Sequence, residues 1–322
     1  MRKYLLFISA IALFIAASCS SESEAESQQV VNSTPRFVIS LQATDKADHY
    51  WSVIQKSAVD KAKEIKVDLV ASSANDAQTQ VKQLEDEIAN GVSGLAVAPI
   101  DVSLLGGVQK KAREANIPFV VIETQAALPD AKIVGTDEEA AGRLAADYVC
   151  NPESEIITNK AGFAARNTEA AIISGATSDL VSLARAKGGR WGLEDCNLKV
   201  VEEKSANSDQ AQAENAAKEI IGQYPDIRVL LVTDDIMALG AAKAVKELGK
   251  TGAIVIISFG TAAQVVEAII AGDVTASIAP NPEIIGARSV ESLYMLLDEQ
   301  SIPDRYDTGT RLITIQNASQ FR

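Results

Sequence analysis

Arg228 to Gly249 reads RVLLVTDDIMALGAAKAVKELG. Val229 to Val232 is apolar at every position, as a parallel strand covered on both faces must be. It stops at Thr233-Asp234-Asp235. Ile236, Met237, Leu239, Ala242, Val245 and Leu248 then recur at helical spacing up to Gly249. Two carboxylates therefore sit in the turn at the carboxyl end of a parallel strand, the edge where open α/β sheets take their ligands. Carboxylates at such an edge accept hydrogen bonds from hydroxyls or pair with a cation. Asp235 is expected to be the N-cap, a position that favours Asp, and Asp234, one residue nearer the strand, to face a ligand. Tyr50-Trp51 is the second candidate: aromatics make up only 5% of the chain, and this pair opens a helix directly after a polar loop. Trp51 there either lines a cleft or fills core.

Several chemistries are excluded. There is no Gly-x-Ser-x-Gly, Gly-x-Gly-x-x-Gly or P-loop, so an enzyme is not expected and no cofactor is implied. One histidine and three cysteines without Cys-x-x-Cys spacing do not make a metal site. The single histidine, His49, is expected to be a solvated loop residue. The net charge is -13 and the basic residues are scattered, which argues against nucleic-acid binding. Asp60, Lys61 and Lys63 read as a solvated helix face, and Asp101 as a helix cap.

The first 18 residues read as a secretion signal: Arg2 and Lys3, then an apolar run from Tyr4 to Ala17 that is too short to span a membrane comfortably. It ends Ala16-Ala17-Ser18-Cys19. Residues 19–35 are polar and acidic and read as a flexible tether. Cys150 and Cys196 remain, able to form a disulfide outside the cytoplasm or to stay as two buried thiols.

From Phe37 onward, strand and helix alternate. Strands are expected at 37–42, 67–71, 94–98, 118–122, 133–135, 169–174, 198–202, 229–232, 253–259, 274–279 and 311–315. Between them lie helices at 50–65, 76–90, 101–115, 138–150, 179–194, 208–223, 236–248, 262–271 and 282–297. Such alternation gives parallel sheets with helices on both faces. So many strands call for two doubly wound domains, with a cleft between them as the place for a ligand. Residues 151–168 are irregular and long for a connection.

The Asp-Asp-x-x-Ala-Leu-Gly-Ala stretch from Asp234 resembles a segment of the ribose-binding-like, type I periplasmic binding proteins that serve ABC importers. Other segments agree in order: Tyr50-Trp51, Ala98-Pro99-Ile100-Asp101, Ala115 to Glu123, Gly135-Thr136-Asp137 with Gly142, Arg185 with Gly188, and Ile278-Ala279 with Pro282, Ile285, Gly286 and Glu291. The Ala-Ser-Cys junction resembles that of bacterial lipoproteins, which implies a lipid on Cys19. The resemblance covers residues 36–322. It implies two Rossmann-like α/β lobes with parallel sheets, joined by a three-strand hinge. The first lobe would be 36–137 plus 281–308, the second 138–280 plus 309–322. It places Tyr50, Trp51, Glu123, Thr124, Arg185, Asp234, Phe259, Gly260 and Pro280 at the ligand. Gly260 stands where the family has Asp, Pro280 where it has a hinge Gln, and Ser208 where it has an aromatic, so polar anchors for sugar hydroxyls are replaced. Asp234 and Glu123 would suit a ligand with a cationic or amine-bearing group, or a different sugar held through waters. Arg185 reads as a helix-start cation, opposed by the helix dipole, with Glu123 or Asp234 as its expected partner across the cleft.

The function implied is an extracytoplasmic, lipid-anchored, monomeric receptor that hands a small sugar-like solute to an ABC permease. The alternative is a sensory subunit that presents its ligand to a membrane kinase or chemoreceptor. A regulator of the same fold would carry an N-terminal helix-turn-helix where this chain has its signal.

Overall fold

A computed structural model describes residues 34–42, 49–123, 128–151 and 168–322. The signal, the tether, Cys19, Thr124 and most of the irregular segment lie outside the described residues. In chain order the elements of the first half are β1 (Arg36–Gln42), α1 (His49–Glu64), β2 (Asp68–Ala74), α2 (Ala77–Ala89), β3 (Gly94–Val97), α3 (Leu105–Glu114), β4 (Phe119–Ile122), β5 (Lys132–Gly135) and α4 (Glu138–Cys150). There follow β6 (Glu169–Ser174), α5 (Leu180–Asp195), β7 (Lys199–Ser205), α6 (Gln210–Gln223), β8 (Ile227–Val232) and α7 (Asp235–Glu247). The chain finishes with β9 (Val255–Phe259), α8 (Ala263–Ala271), β10 (Ala276–Pro280), α9 (Pro282–Leu297), β11 (Arg305–Asp307) and β12 (Thr310–Thr314).

These strands form two six-stranded sheets, ordered β11-β5-β4-β3-β1-β2 and β12-β10-β9-β8-β6-β7. The pairings are parallel except β10 with β12. Side chains alternate across a strand, and here both faces are covered. In the first sheet, Phe37 and Ile39 pack into one apolar cluster and Val38 into another. In the second, Ala171, Ile173, Leu230 and Val232 face one cluster, and Ala170, Ile172, Val229 and Leu231 the opposite one. That double burial is why these strands are apolar throughout rather than alternating.

Aspartates set most of the turns leaving the sheets. Asp76, Asp137, Asp179, Asp209 and Asp234 are N-caps, each accepting from the backbone N–H three residues on. Three strands depart clearly from the sequence expectation; β2 runs on to Ala74 along β1. β7 continues to Ser205 because its outer end, Glu203 and Lys204, is held by ion pairs to Arg190 and Glu219 rather than by apolar burial. β11 is short and polar, and is held by its pairing with β5. Asp101 caps a short 3-10 turn, Val102–Leu104, that precedes α3.

The chain passes between the sheets three times, at Thr136-Asp137, at Asn281 and at Thr308-Gly309. The crossings are bonded to one another. Thr308 N–H donates to Gly135 O (3.1 Å), Asp137 N–H to the Asp307 carboxylate (3.0 Å), and the Asn281 amide to Thr308 O (3.0 Å).

Candidate functional site

The site is built where α4 and α5 begin beside the first crossing. A Cβ on Gly142 would lie 2.2 Å from the Arg185 carbonyl, and one on Gly188 would lie 1.9 Å from the Glu139 carbonyl. The two helices touch backbone to backbone because both positions lack a side chain. This contact brings Arg185, in the second turn of α5, against Glu138, the first residue of α4. Arg185 Nε and Nη2 donate to the two Glu138 oxygens at 2.6 and 3.0 Å, and Nη1 donates to Thr233 O at 3.0 Å. Glu138 is buried, at 3% side-chain exposure, and Arg185 is mostly covered, at 15%. Burial opposes the Arg185 charge, but Glu138 more than offsets this and holds its pKa above the ordinary arginine value. The guanidinium also lies over the Phe259 ring, 5.0 Å from its centroid.

Glu123 reaches the same place from the end of β4. Its backbone is left-handed, φ +48°, and its N–H donates to Val134 O. The turn folds the side chain back over Gly135, where an added Cβ would meet Glu123 Oε1 at 2.7 Å. Oε1 accepts from Thr136 N–H at 2.8 Å and from the Thr136 hydroxyl at 3.3 Å. Tyr50, in the first turn of α1, has its buried hydroxyl beside Glu123 and packs edge-on to Trp51, with ring centroids 5.2 Å apart. Desolvation first, then the Glu138 charge, raises the Glu123 pKa to about 7, against the pull of Thr136, Tyr50 and Arg185. Burial, Glu123 and Glu138 likewise push Tyr50 well above 10.

Tyr50 and Glu123 come from the first sheet and its helices, and Glu138 and Arg185 from the second. Arg185 is not at its helix start as expected, and its partner is Glu138, not Glu123 or Asp234. The N-cap is not Asp235 as expected but its neighbour. Asp234 is the N-cap, accepting from Met237 N–H at 2.7 Å, while Asp235 reaches across to accept from Ala262 N–H at 3.1 Å. Burial, with the Asp234 charge behind it, raises the Asp235 pKa. Gly260 adopts φ +113°, and a Cβ there would lie 2.6 Å from Asp235 Oδ2, so Asp235 fills the space a side chain at 260 would take. Phe259 is buried (1% exposed) beneath Arg185 and supports it rather than lining an open surface. Trp51 is half-buried against the first-sheet core. Pro280 ends β10 opposite Thr310. Ser208 sits in a left-handed turn, φ +55°, beside Gly175. Cys150 and Cys196 form a disulfide with Cα atoms 6.0 Å apart, tying the end of α4 to the end of α5.

Sequence reasoning missed Glu138, because an acid in a first helical turn reads as a dipole partner. It also missed the buried hydroxyl pair Ser182–Thr233 (2.6 Å), which together receives Gly175 N–H. Among the described residues no cluster of His, Cys, Asp and Glu is arranged to hold a metal, and no helix is long and apolar enough to cross a membrane.

Known proteins resemble this chain along most of its length. The ribose import binding protein RbsB of Escherichia coli (strain K12) is 24% identical over 318 residues, covering 98% of this chain and 99% of that protein. The D-allose-binding periplasmic protein of the same organism is 27% identical over 326 residues, covering 100% and 97%. Among solved structures, the arabinose binding protein AraP from Geobacillus stearothermophilus has a TM-score of 0.77 at 25% identity, over 90% of this chain and 100% of that one. A periplasmic ribose ABC transporter protein from Conexibacter woesei has a TM-score of 0.79 at 18% identity, over 89% and 94%, and shares the fold. None of these names favours the sensory alternative. Residues 38–301, which include both helices of the Arg185–Glu138 pair together with Glu123 and Thr136, match the family described as periplasmic binding protein domain; this chain belongs to that family of non-enzymatic solute-binding proteins.

Proposed function

We propose that this chain is the lipid-anchored receptor of an ABC importer, closing its two lobes on a sugar or sugar-like polyol. The observation that carries this reading is the grouping of Tyr50, Glu123, Glu138 and Arg185, two from each sheet, around the first crossing. Hydroxyl-rich ligands are recognised by such sets of charged acceptors and donors beside an aromatic face. The relatives named for ribose, allose and arabinose support a sugar. The lobes proposed are 36–137 plus 281–308 and 138–280 plus 309–322, a division supported by β11 pairing with β5 and β12 with β10. In this reading Trp51 stacks on the ligand, and Tyr50, Glu123, Thr124, Arg185, Asp234, Gly260 and Pro280 border it. The lipid is on Cys19, and the receptor is a monomer.

The test is a thermal-shift screen of sugars, polyols, amino sugars and nucleosides on the purified protein. A ligand at 100 times its Kd should stabilise the native state by about 2.7 kcal/mol. Arg185→Ala and Trp51→Ala should each remove that shift. Retention of it by both folded variants would place the ligand elsewhere. For the anchor, the wild type expressed in bacteria should partition with membranes and Cys19→Ala should not; equal solubility of the two would refute it.

A further inference from the structure

We infer that the ligand held here carries an amino group, and that Glu123 is the residue that receives it. This rests on the cleft reading above and narrows its ligand class. The charge arrangement is the reason. Arg185 is the cation of the group, and its charge is answered within the second sheet's elements: Nε and Nη2 donate to both Glu138 oxygens and Nη1 to Thr233 O, leaving one N–H on each Nη. Glu138 is thus ion-paired with Arg185, whereas among the described residues no cation is hydrogen-bonded to Glu123. Among the described residues, the groups donating to Glu123 are the Thr136 N–H and the Thr136 hydroxyl, both neutral, with the neutral Tyr50 hydroxyl beside them. The charges facing it are Glu138 from α4 and Arg185 from α5, and the repulsion from Glu138 outweighs the attraction from Arg185. Tyr50, from α1, stays in its neutral form. Arg305 on β11 reaches the far side of the same turn, at Thr136 O (3.4 Å).

A largely desolvated carboxyl short of a counter-ion takes up a proton instead, which is why this one sits near neutrality in the free protein. A hydroxyl of a neutral sugar adds another neutral donor and leaves the charge uncompensated. A protonated amine supplies the missing cation: the Glu123 O–H proton leaves to solvent and an ammonium N–H takes its place on the carboxylate. The second sheet's edge points the same way. Asp234 and Asp235 add two further carboxylates beside Thr233, where Arg185 is already anchored.

The experiment is titration calorimetry on the intact purified protein with matched pairs: D-glucosamine and D-glucose, D-galactosamine and D-galactose, and an aminoinositol and myo-inositol. Each pair is measured at pH 6, 7 and 8, in two buffers of different ionisation heat. At least one amine should bind roughly tenfold or more tighter than its neutral parent. At pH 6 its binding should release close to one proton per site, and at pH 8 far less. Glu123→Gln should remove the preference, bringing the ratio of amine to neutral-parent affinity to about one. The proton count on the wild type tests the idea even if the variant fails to fold. If neutral sugars bind and their amines bind no better, or if the preference survives in Glu123→Gln, the amine assignment falls and the cleft reading stands. If no member of any pair binds, both fall.

Discussion

Arg185 grips both oxygens of Glu138, and the glycines that permit this lie one turn further along each helix, at 188 and 142. The spacing is a matter of helix geometry: residues three and four apart share a face. A backbone contact at the glycines therefore leaves the side chains one turn earlier facing each other. Arg-x-x-Gly thus sets the helix packing and the ion pair together.

Breaking this pair from one side should be costly. Arg185→Ala leaves the Glu138 carboxylate buried without its cation, and the expected loss is about 3–5 kcal/mol in urea unfolding at pH 7. Arg185→Met with Glu138→Leu should recover most of that, because an apolar pair has no charge to desolvate. A double variant no better than the single one would show that the helix contact, not the charge, had been lost.

Glu123 makes a separate prediction about pH. Its pKa is near 7 in the folded protein, against an ordinary value of 4.5, so the native state binds the extra proton between those limits. Stability contributed by this group is complete below the lower value and is lost as pH rises through the upper one. The total is about 3 kcal/mol. Glu123→Gln should flatten this part of the stability–pH curve and be the more stable protein at pH 8. Parallel curves for the two proteins from pH 4.5 to 8 would mean that Glu123 is not the titrating group.

Much of this architecture can be read from the residues, and the failures have identifiable causes. Asp76, Asp137, Asp179 and Asp209 announce their helices, and strands such as Val229–Val232 are unmistakable because both faces are buried. The roles of Asp234 and Asp235 depend on a one-residue shift in where the helix begins, and two adjacent aspartates give local propensity no basis for choosing. Arg305–Asp307 has no apolar signal, because β5 and the crossings hold it from outside. Glu138 looks like an ordinary first-turn acid until α5 is laid against it.

Gly260 is required on two counts. Its φ of +113° is open to glycine at little cost, and Asp235 Oδ2 occupies the space beyond it. Gly260→Ala should cost about 1–3 kcal/mol. Adding Asp235→Ser should restore only the part due to the contact. Full rescue in the double variant would show that the backbone there relaxes freely.

The disulfide should matter for the whole second sheet's flank. Cys150 and Cys196 are 46 residues apart, and closing a loop of that length typically contributes about 2–4 kcal/mol. Peptide mapping without reduction should recover the linked pair. Cys150→Ser should lower the unfolding midpoint accordingly, and an unchanged midpoint would count against a structural role.

The last stretch of chain has a consequence for how the molecule is made. The first sheet needs β11, and its face needs α9 packed on α1; the second sheet needs β12 along β10. All of these come after residue 280. Neither sheet can be finished while the chain is still emerging, since each waits for contacts between its first and last segments. Pairings so distant in sequence form slowly. Until those last residues are made, β5 and β10 each lack a neighbour, and both sheets stay incomplete to the end of synthesis.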